Sequence, residues 1–125
     1  MRLLEKQFLF TRNLSRLIRF ACRIADEHDG FIPADVKNVQ LTMGRAYASA
    51  AANKADKGIE GSCHTMRLAI DLNLFVNGEY ITGDHWVWSA LGRYWINLDR
   101  DENRWGGNFR SRDWNHFSMR HRGKQ

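Results

Sequence analysis

The chain has 125 residues, 43% hydrophobic and 26% charged, the size of one domain (1–125) that can bury roughly two-thirds of its unfolded surface without disulfide staples. One proline and ten glycines exclude disordered and fibrous classes, and no apolar run approaches the ~18 residues of a membrane span. Nineteen Lys and Arg against fourteen Asp and Glu give a net charge of +5, which favours polyanions (nucleic acid, anionic lipid, an acidic cell wall) without choosing among them.

Met1-Arg2-Leu3-Leu4-Glu5-Lys6 breaks its apolar stretch with charges too early for a signal-peptide core, so a cytoplasmic location, or export by another route, is expected. From Leu3 to about Glu27 the pattern predicts an amphipathic helix. Phe10, Leu14, Leu17, Ile18, Ala21 and Ala25 share one side, and Arg12, Arg16, Arg19 and Arg23 stripe the other. That stripe is either a solvated face or a surface for membranes and anionic polymers. Cys22 and Cys63 lack Cys-x-x-Cys spacing and cannot form a disulfide scaffold; Cys22 reads as a small buried thiol.

Gly30 and Pro33 mark a loop, and Val36, Val39 and Leu41 suggest a short strand. The alanine-rich stretch 45–57 predicts a helix stopped by Gly58. The clearest strand is Arg67 to Val76, with Leu68, Ile70, Leu72 and Leu74 on one face and Ala69, Asp71, Asn73 and Phe75 on the other. Asn77-Gly78 favours a tight hairpin with Tyr80-Ile81 returning. Thr82 can cap a helix bearing Val87, Ala90, Leu91, Tyr94 and Leu98. After a polar loop, 99–103, short strands are expected at Trp105–Phe109 and Asp113–Phe117, and a frayed basic tail at 120–125. A hairpin without βαβ alternation predicts an α+β fold with a small antiparallel sheet and flanking helices.

Asp71 is the anomaly, a carboxylate in the middle of an apolar strand that must be paired, metal-bound or exposed. His64 lies just upstream with Ser62 two residues before it to orient it, and His116 follows much later, three residues after Asp113. Two histidines and one carboxylate are a recurring three-ligand set for catalytic zinc, with a fourth position for water. Asp113 would stand beside the ion as a general base. Spacing alone leaves purely structural roles open for His64 and Asp71. His28, His85 and His121 read as helix-surface or tail histidines, and Cys63, with no base placed for it, has no assigned role. Most of Trp86, Trp88, Trp95, Trp105 and Trp114 suit the core, while Trp105 and Trp114, each beside a candidate active-site element, suit a substrate groove.

The stretch Ser62-Cys63-His64-Thr65-Met66-Arg67-Leu68-Ala69-Ile70-Asp71, with Asp113-Trp114-Asn115-His116 as its second half, resembles the signature of the D-alanyl-D-alanine carboxypeptidase family of zinc peptidases. That family includes phage L-alanyl-D-glutamate endolysins. The contexts Ala69–Phe75 and Trp105–Phe109 are similar to a phage-encoded subgroup, and the likeness runs from about Lys6 to Met119. The resemblance implies a D,D-peptidase (hedgehog-like) architecture, zinc held by His64, Asp71 and His116, and Asp113 as base. It also implies hydrolysis of a peptide bond in peptidoglycan stems, L-alanyl-D-glutamate first and the terminal D-alanyl-D-alanine as alternative. A monomer is expected, with no nucleic-acid partner and with electrostatic attraction to the anionic envelope. It would stay in the host bacterial cytoplasm until a separate pore-forming protein releases it to the wall.

Two departures from the family stand out. Gly44-Arg45-Ala46-Tyr47-Ala48 has arginine where the subgroup has an acid and Ala48 where it has an arginine, and Arg67 occupies a position the broader family gives to glycine. If 45–57 is helical, positions 45 and 48 share a face and Arg45 could clamp the same substrate carboxylate. Such changes keep alive a third reading, a non-catalytic basic module on this fold that binds wall polymer or nucleic acid.

Overall fold

The computed structural model describes residues 1–24, 35–55 and 62–125. The expectations for Ala25, Glu27, His28, Gly30, Pro33, Lys57 and Gly58 lie outside those residues. The elements in chain order are α1 (Leu3–Arg23), β1 (Val39–Met43), α2 (Ala50–Ala55), β2 (Ala69–Val76), β3 (Glu79–Ile81), α3 (Trp86–Leu98), β4 (Asn103–Trp105) and β5 (His116–Met119). All strand pairings are antiparallel, which makes the fold α+β as expected.

β2 is the axis of the sheet. β1 runs along one edge with Val39 opposite Val76 and Met43 opposite Leu72. β5 and β3 take the other edge in turn, with Asp71 opposite His116 and Leu74 opposite Ile81, and β4 lies outside β5. The hairpin between β2 and β3 turns on Asn77 at φ +52° and Gly78 at φ +80°, the left-handed pair a two-residue turn requires. Because side chains alternate across a strand, Ile70, Leu72, Leu74 and Val76 are buried together, while Asp71, Asn73 and Phe75 stand half-exposed on the opposite face.

The buried face is closed by α1 and α3. Trp95 of α3 lies edge-on to Phe10 of α1 at 5.6 Å and to Phe117 of β5 at 6.1 Å. Its Nε1 donates to the carbonyls of Arg104 and Ser118, 3.0 Å each. Lys6 departs from the apolar pattern: it is buried on α1, where Nζ donates to the Arg120 carbonyl at 2.8 Å and pairs with Glu102 at 3.1 Å. Phe10, Leu17 and Ala21 are buried as the periodicity requires, Leu14 and Ile18 partly so, and Arg12, Arg16, Arg19 and Arg23 are all exposed.

Several expectations need correction. α1 ends at Arg23, short of Glu27. Cys22 is exposed and Cys63 is the buried thiol. Among the described residues the helix expected over 45–57 is observed at Ala50–Ala55 and not at 45–49, because residues 44–48 spend their main-chain groups on other elements. Gly44 N–H donates to Asp71 O and Asp71 N–H to Arg45 O, both at 2.7 Å, and Ala48 N–H donates to His64 O at 3.2 Å. Those bonds outweigh alanine's helix propensity and remove the shared helical face proposed for positions 45 and 48. α3 is capped by His85, whose Nδ1 accepts from Val87 N–H at 3.1 Å, and not by Thr82. The late strands sit at 103–105 and 116–119, with a 3-10 turn at Gly106–Asn108 in the place expected to be extended. The tail is tied back on itself: His121 and Lys124 exchange main-chain bonds at 2.9 Å around Arg122 and Gly123, both at positive φ.

Candidate metal centre

His64 is placed by a short 3-10 turn, Cys63–Met66. Ser62 Oγ caps it by accepting from His64 N–H at 3.2 Å, so Ser62 orients His64 through its main chain. Arg67 ends the turn at φ +57°, a left-handed conformation that favours glycine; its guanidinium lies 4.1 Å from the centre of the Tyr47 ring. Cys63 points the other way into the core, its Sγ 3.3 Å from the Met119 carbonyl and its pKa pushed up to about 11, chiefly by burial.

Asp71 and His116 are direct cross-strand partners, so strand parity sets both side chains on one face. His64 Nε2 lies 3.3 Å and His116 Nδ1 3.4 Å from the same oxygen, Asp71 Oδ1. That oxygen is sealed from solvent and has no other polar partner. The far nitrogen of each ring meets a main-chain carbonyl: His64 Nδ1 lies 3.4 Å from Ala46 O, and His116 Nε2 3.3 Å from Gln125 O. A ring nitrogen donating to a carbonyl carries the proton, which leaves the lone pair on the nitrogen facing Asp71. Two lone pairs aimed at a carboxylate oxygen repel unless a cation, either a proton on a ring or a metal ion, lies among them.

The spacing suits a metal ion. Neighbouring ligand atoms on a tetrahedron with bonds of about 2.0–2.1 Å are about 3.3–3.4 Å apart, and all three ligand atoms here lie within 4.8 Å of one another. His64, Asp71 and His116 are therefore a group able to hold a metal ion. Without one, protons take its place. Burial alone would raise the Asp71 carboxyl, but the adjoining His116 and His64, as donors and as charges, hold it down at about 2. Burial pulls His64 downward, yet Asp71 and the Ala46 carbonyl outweigh it and leave His64 above its ordinary value, with the Arg45 charge opposing.

Asp113 sits on a closed turn before β5. Its N–H donates to Gly106 O at 2.9 Å, and its carbonyl accepts from His116 N–H at 3.2 Å. The turn is tight against Gly106, where any Cβ would overlap the Asp113 carbonyl and crowd the His116 Cβ. Burial, then the negative charge of Asp71, raises the Asp113 carboxyl above the ordinary range, with His116 and His64 acting in the opposite direction.

The remaining candidates are less uniform. Arg45 is exposed on the segment whose main chain braces Asp71, near enough for its charge to act on His64. Trp114 is half-buried and lines two adjoining cavities. Trp105 is only 7% exposed, with Nε1 donating to the Trp114 carbonyl at 2.8 Å. Nothing in the residue pattern pointed to the two carbonyls that orient the imidazoles, since main-chain groups carry no residue identity. The Gly106-Gly107 pair was the available signal for the close approach at the Asp113 turn.

No protein-family model matches this chain, and no curated protein matches it in sequence. Among solved structures, the L-Ala D-Glu endopeptidase ChiX of Serratia marcescens matches with a TM-score of 0.58 and 19% identity, over 87% of this chain and 79% of that one. The chain thus has the α+β fold of that endopeptidase structure and carries on it a His–Asp–His group able to hold a metal ion.

Proposed function

We propose that this protein is a zinc-dependent peptidase of bacterial peptidoglycan, cutting the L-alanyl-D-glutamate bond of stem peptides as a phage endolysin does. The observation that carries the reading is the convergence of His64 Nε2 and His116 Nδ1 on Asp71 Oδ1, with both far ring nitrogens fixed by carbonyls. The fold shared with an L-Ala D-Glu endopeptidase supports it.

When bound, the zinc ion would polarise the scissile carbonyl and make a nearby water more acidic. Asp113 acts as base, taking the proton of the attacking water on its carboxylate and delivering it to the leaving amine. Ser62 holds His64 in register, and Arg45, Trp105 and Trp114 contribute to substrate binding. On this reading the enzyme works as a monomer, held in the host cytoplasm until a separate pore-forming protein releases it. Its charge of +5 then favours the anionic envelope.

The test combines metal quantification on freshly purified protein with mass spectrometry of digested sacculi. Stoichiometric zinc and new L-alanine and D-glutamate ends are expected. Release of free alanine would assign the carboxypeptidase reaction instead. Absence of both zinc and cleavage would leave a basic binding module.

A further inference from the structure

A groove of about 530 Å³ runs beside α3. Arg93 and Ser89 line it from α3, Asp84 from the segment before that helix, and Arg112 and Trp114 from the segment leading into β5. Arg112 is fixed in place: Nη1 donates to the Gly107 carbonyl at 2.5 Å, and its guanidinium carbon lies 5.4 Å from the centre of the Trp114 ring. Among the described residues neither Arg93 nor Arg112 has a carboxylate within ion-pairing distance. Two guanidiniums against one carboxylate, Asp84, leave the groove net positive. Arg112 and Trp114 also line a smaller cavity of about 170 Å³ whose wall includes Asp113, so the groove and the candidate base share these two residues as neighbours.

We infer that this groove is a binding subsite for a free carboxylate of the substrate, held between Arg93 and Arg112, with the Trp114 ring as a flat wall for the adjoining chain. A guanidinium already pinned by a carbonyl and an aromatic face loses little freedom on binding, and its remaining N–H groups present the fork that matches a carboxylate. Asp84 supplies an acceptor for an amine or hydroxyl of the same ligand. The identity of the ligand as a stem peptide rests on the peptidase reading; the anion-binding character of the groove does not.

The test is titration calorimetry on zinc-loaded full-length protein carrying Asp113→Asn to prevent turnover. The probes are the tripeptide L-alanyl-γ-D-glutamyl-L-lysine and the same peptide with its carboxylates amidated. The free peptide should bind about tenfold or more tightly than the amidated one, and Arg93→Gln or Arg112→Gln should each abolish most of that difference while leaving the amidated peptide unchanged. Among the described residues Arg93 has no hydrogen-bond or ion-pair partner, so Arg93→Gln reads binding without disturbing the Gly107 loop. Equal affinity for the two peptides, no binding of either, or unchanged affinity in both arginine variants overturns the inference. Sacculus digestion by the unsubstituted protein separates the two claims. Cleavage with arginine-independent binding defeats the subsite alone. Arginine-dependent binding without cleavage upholds the subsite and defeats the peptidase reading.

Discussion

Replacing Asp71 with asparagine removes the negative charge between the two imidazoles while keeping the side chain's shape. In metal-free protein the carboxyl sits at about 2 against its ordinary 3.8. At about 1.4 kcal/mol per pH unit, that displacement is worth about 2 kcal/mol, trimmed toward about 1 kcal/mol by solvent screening of the exposed part of the side chain. A group whose pKa is lower in the folded state stabilises the fold once pH exceeds its unfolded value, and that stability is lost as pH falls through the folded value. The Asp71 contribution is therefore complete above about pH 4 and gone near pH 2. His64 is displaced the opposite way, so its contribution is complete below its unfolded value of 6.5 and disappears as pH rises through its higher folded value. Both limbs arise from one contact and are not added. The difference in unfolding free energy between the original chain and Asp71→Asn, measured by urea denaturation with chelator, should therefore be a dome between these limits. Saturating zinc should remove the alkaline limb in the original chain, because binding requires deprotonated imidazoles. A difference that is flat from about pH 2 to about pH 8 would refute the claim that these three side chains form one electrostatic unit.

Asp113→Asn should retain zinc, measured by elemental analysis, while stem-peptide hydrolysis falls about 10²- to 10⁴-fold; zinc lost in parallel would make Asp113 a ligand instead. In metal-free protein the Asp113 carboxyl, followed by NMR, should titrate above 3.8, because burial and the Asp71 charge raise it, and a value at or below 3.8 would contradict that environment. Gly106→Ala pushes a methyl into the Asp113 carbonyl and the His116 Cβ, so thermal unfolding should show a loss of about 1–3 kcal/mol together with weaker zinc binding, and an unchanged Tm would mean that the turn is loose. Iodoacetamide at mildly alkaline pH should label the exposed Cys22 and spare Cys63, which is buried and held near pKa 11; a second adduct on native protein, seen by intact-mass spectrometry, would contradict that burial.

What the sequence made legible is what side-chain periodicity can encode. β2 alternated as read because one face had to be apolar, and Asn77-Gly78 could hardly signal anything but a turn. Asp71 was legible as an anomaly for the same reason: parity sets it on the open face opposite His116. The failures fall where main-chain hydrogen bonding to distant segments decides the outcome. Six alanines argued for a helix from Arg45, yet residues 44–48 bond to Asp71 and His64 instead. Thr82 offered a better cap by residue type, but the chain enters α3 three residues later, where His85 serves. The groove arginines, Arg93 and Arg112, lie nineteen positions apart in sequence, and no spacing rule joins a helix surface to a loop before a strand.

The segment 44–48 also explains how the chain can depart from the resembling family there without losing its centre. The main chain of this segment braces two of the three ligands: Gly44 N–H to Asp71 O, Arg45 O to Asp71 N–H, Ala46 O to the His64 ring and Ala48 N–H to His64 O. Main-chain bonds survive an exchange of acid for arginine at position 45 or of arginine for alanine at position 48. The same exchanges change completely the charge a substrate would meet. The bracing of Asp71 and His64 thus rests on main-chain atoms of these five residues, so their side chains are free to vary without breaking it. On the peptidase reading, a chain with alanine at 48 would keep its metal-ligand group and need an anion-binding group elsewhere, the role proposed for Arg93 and Arg112.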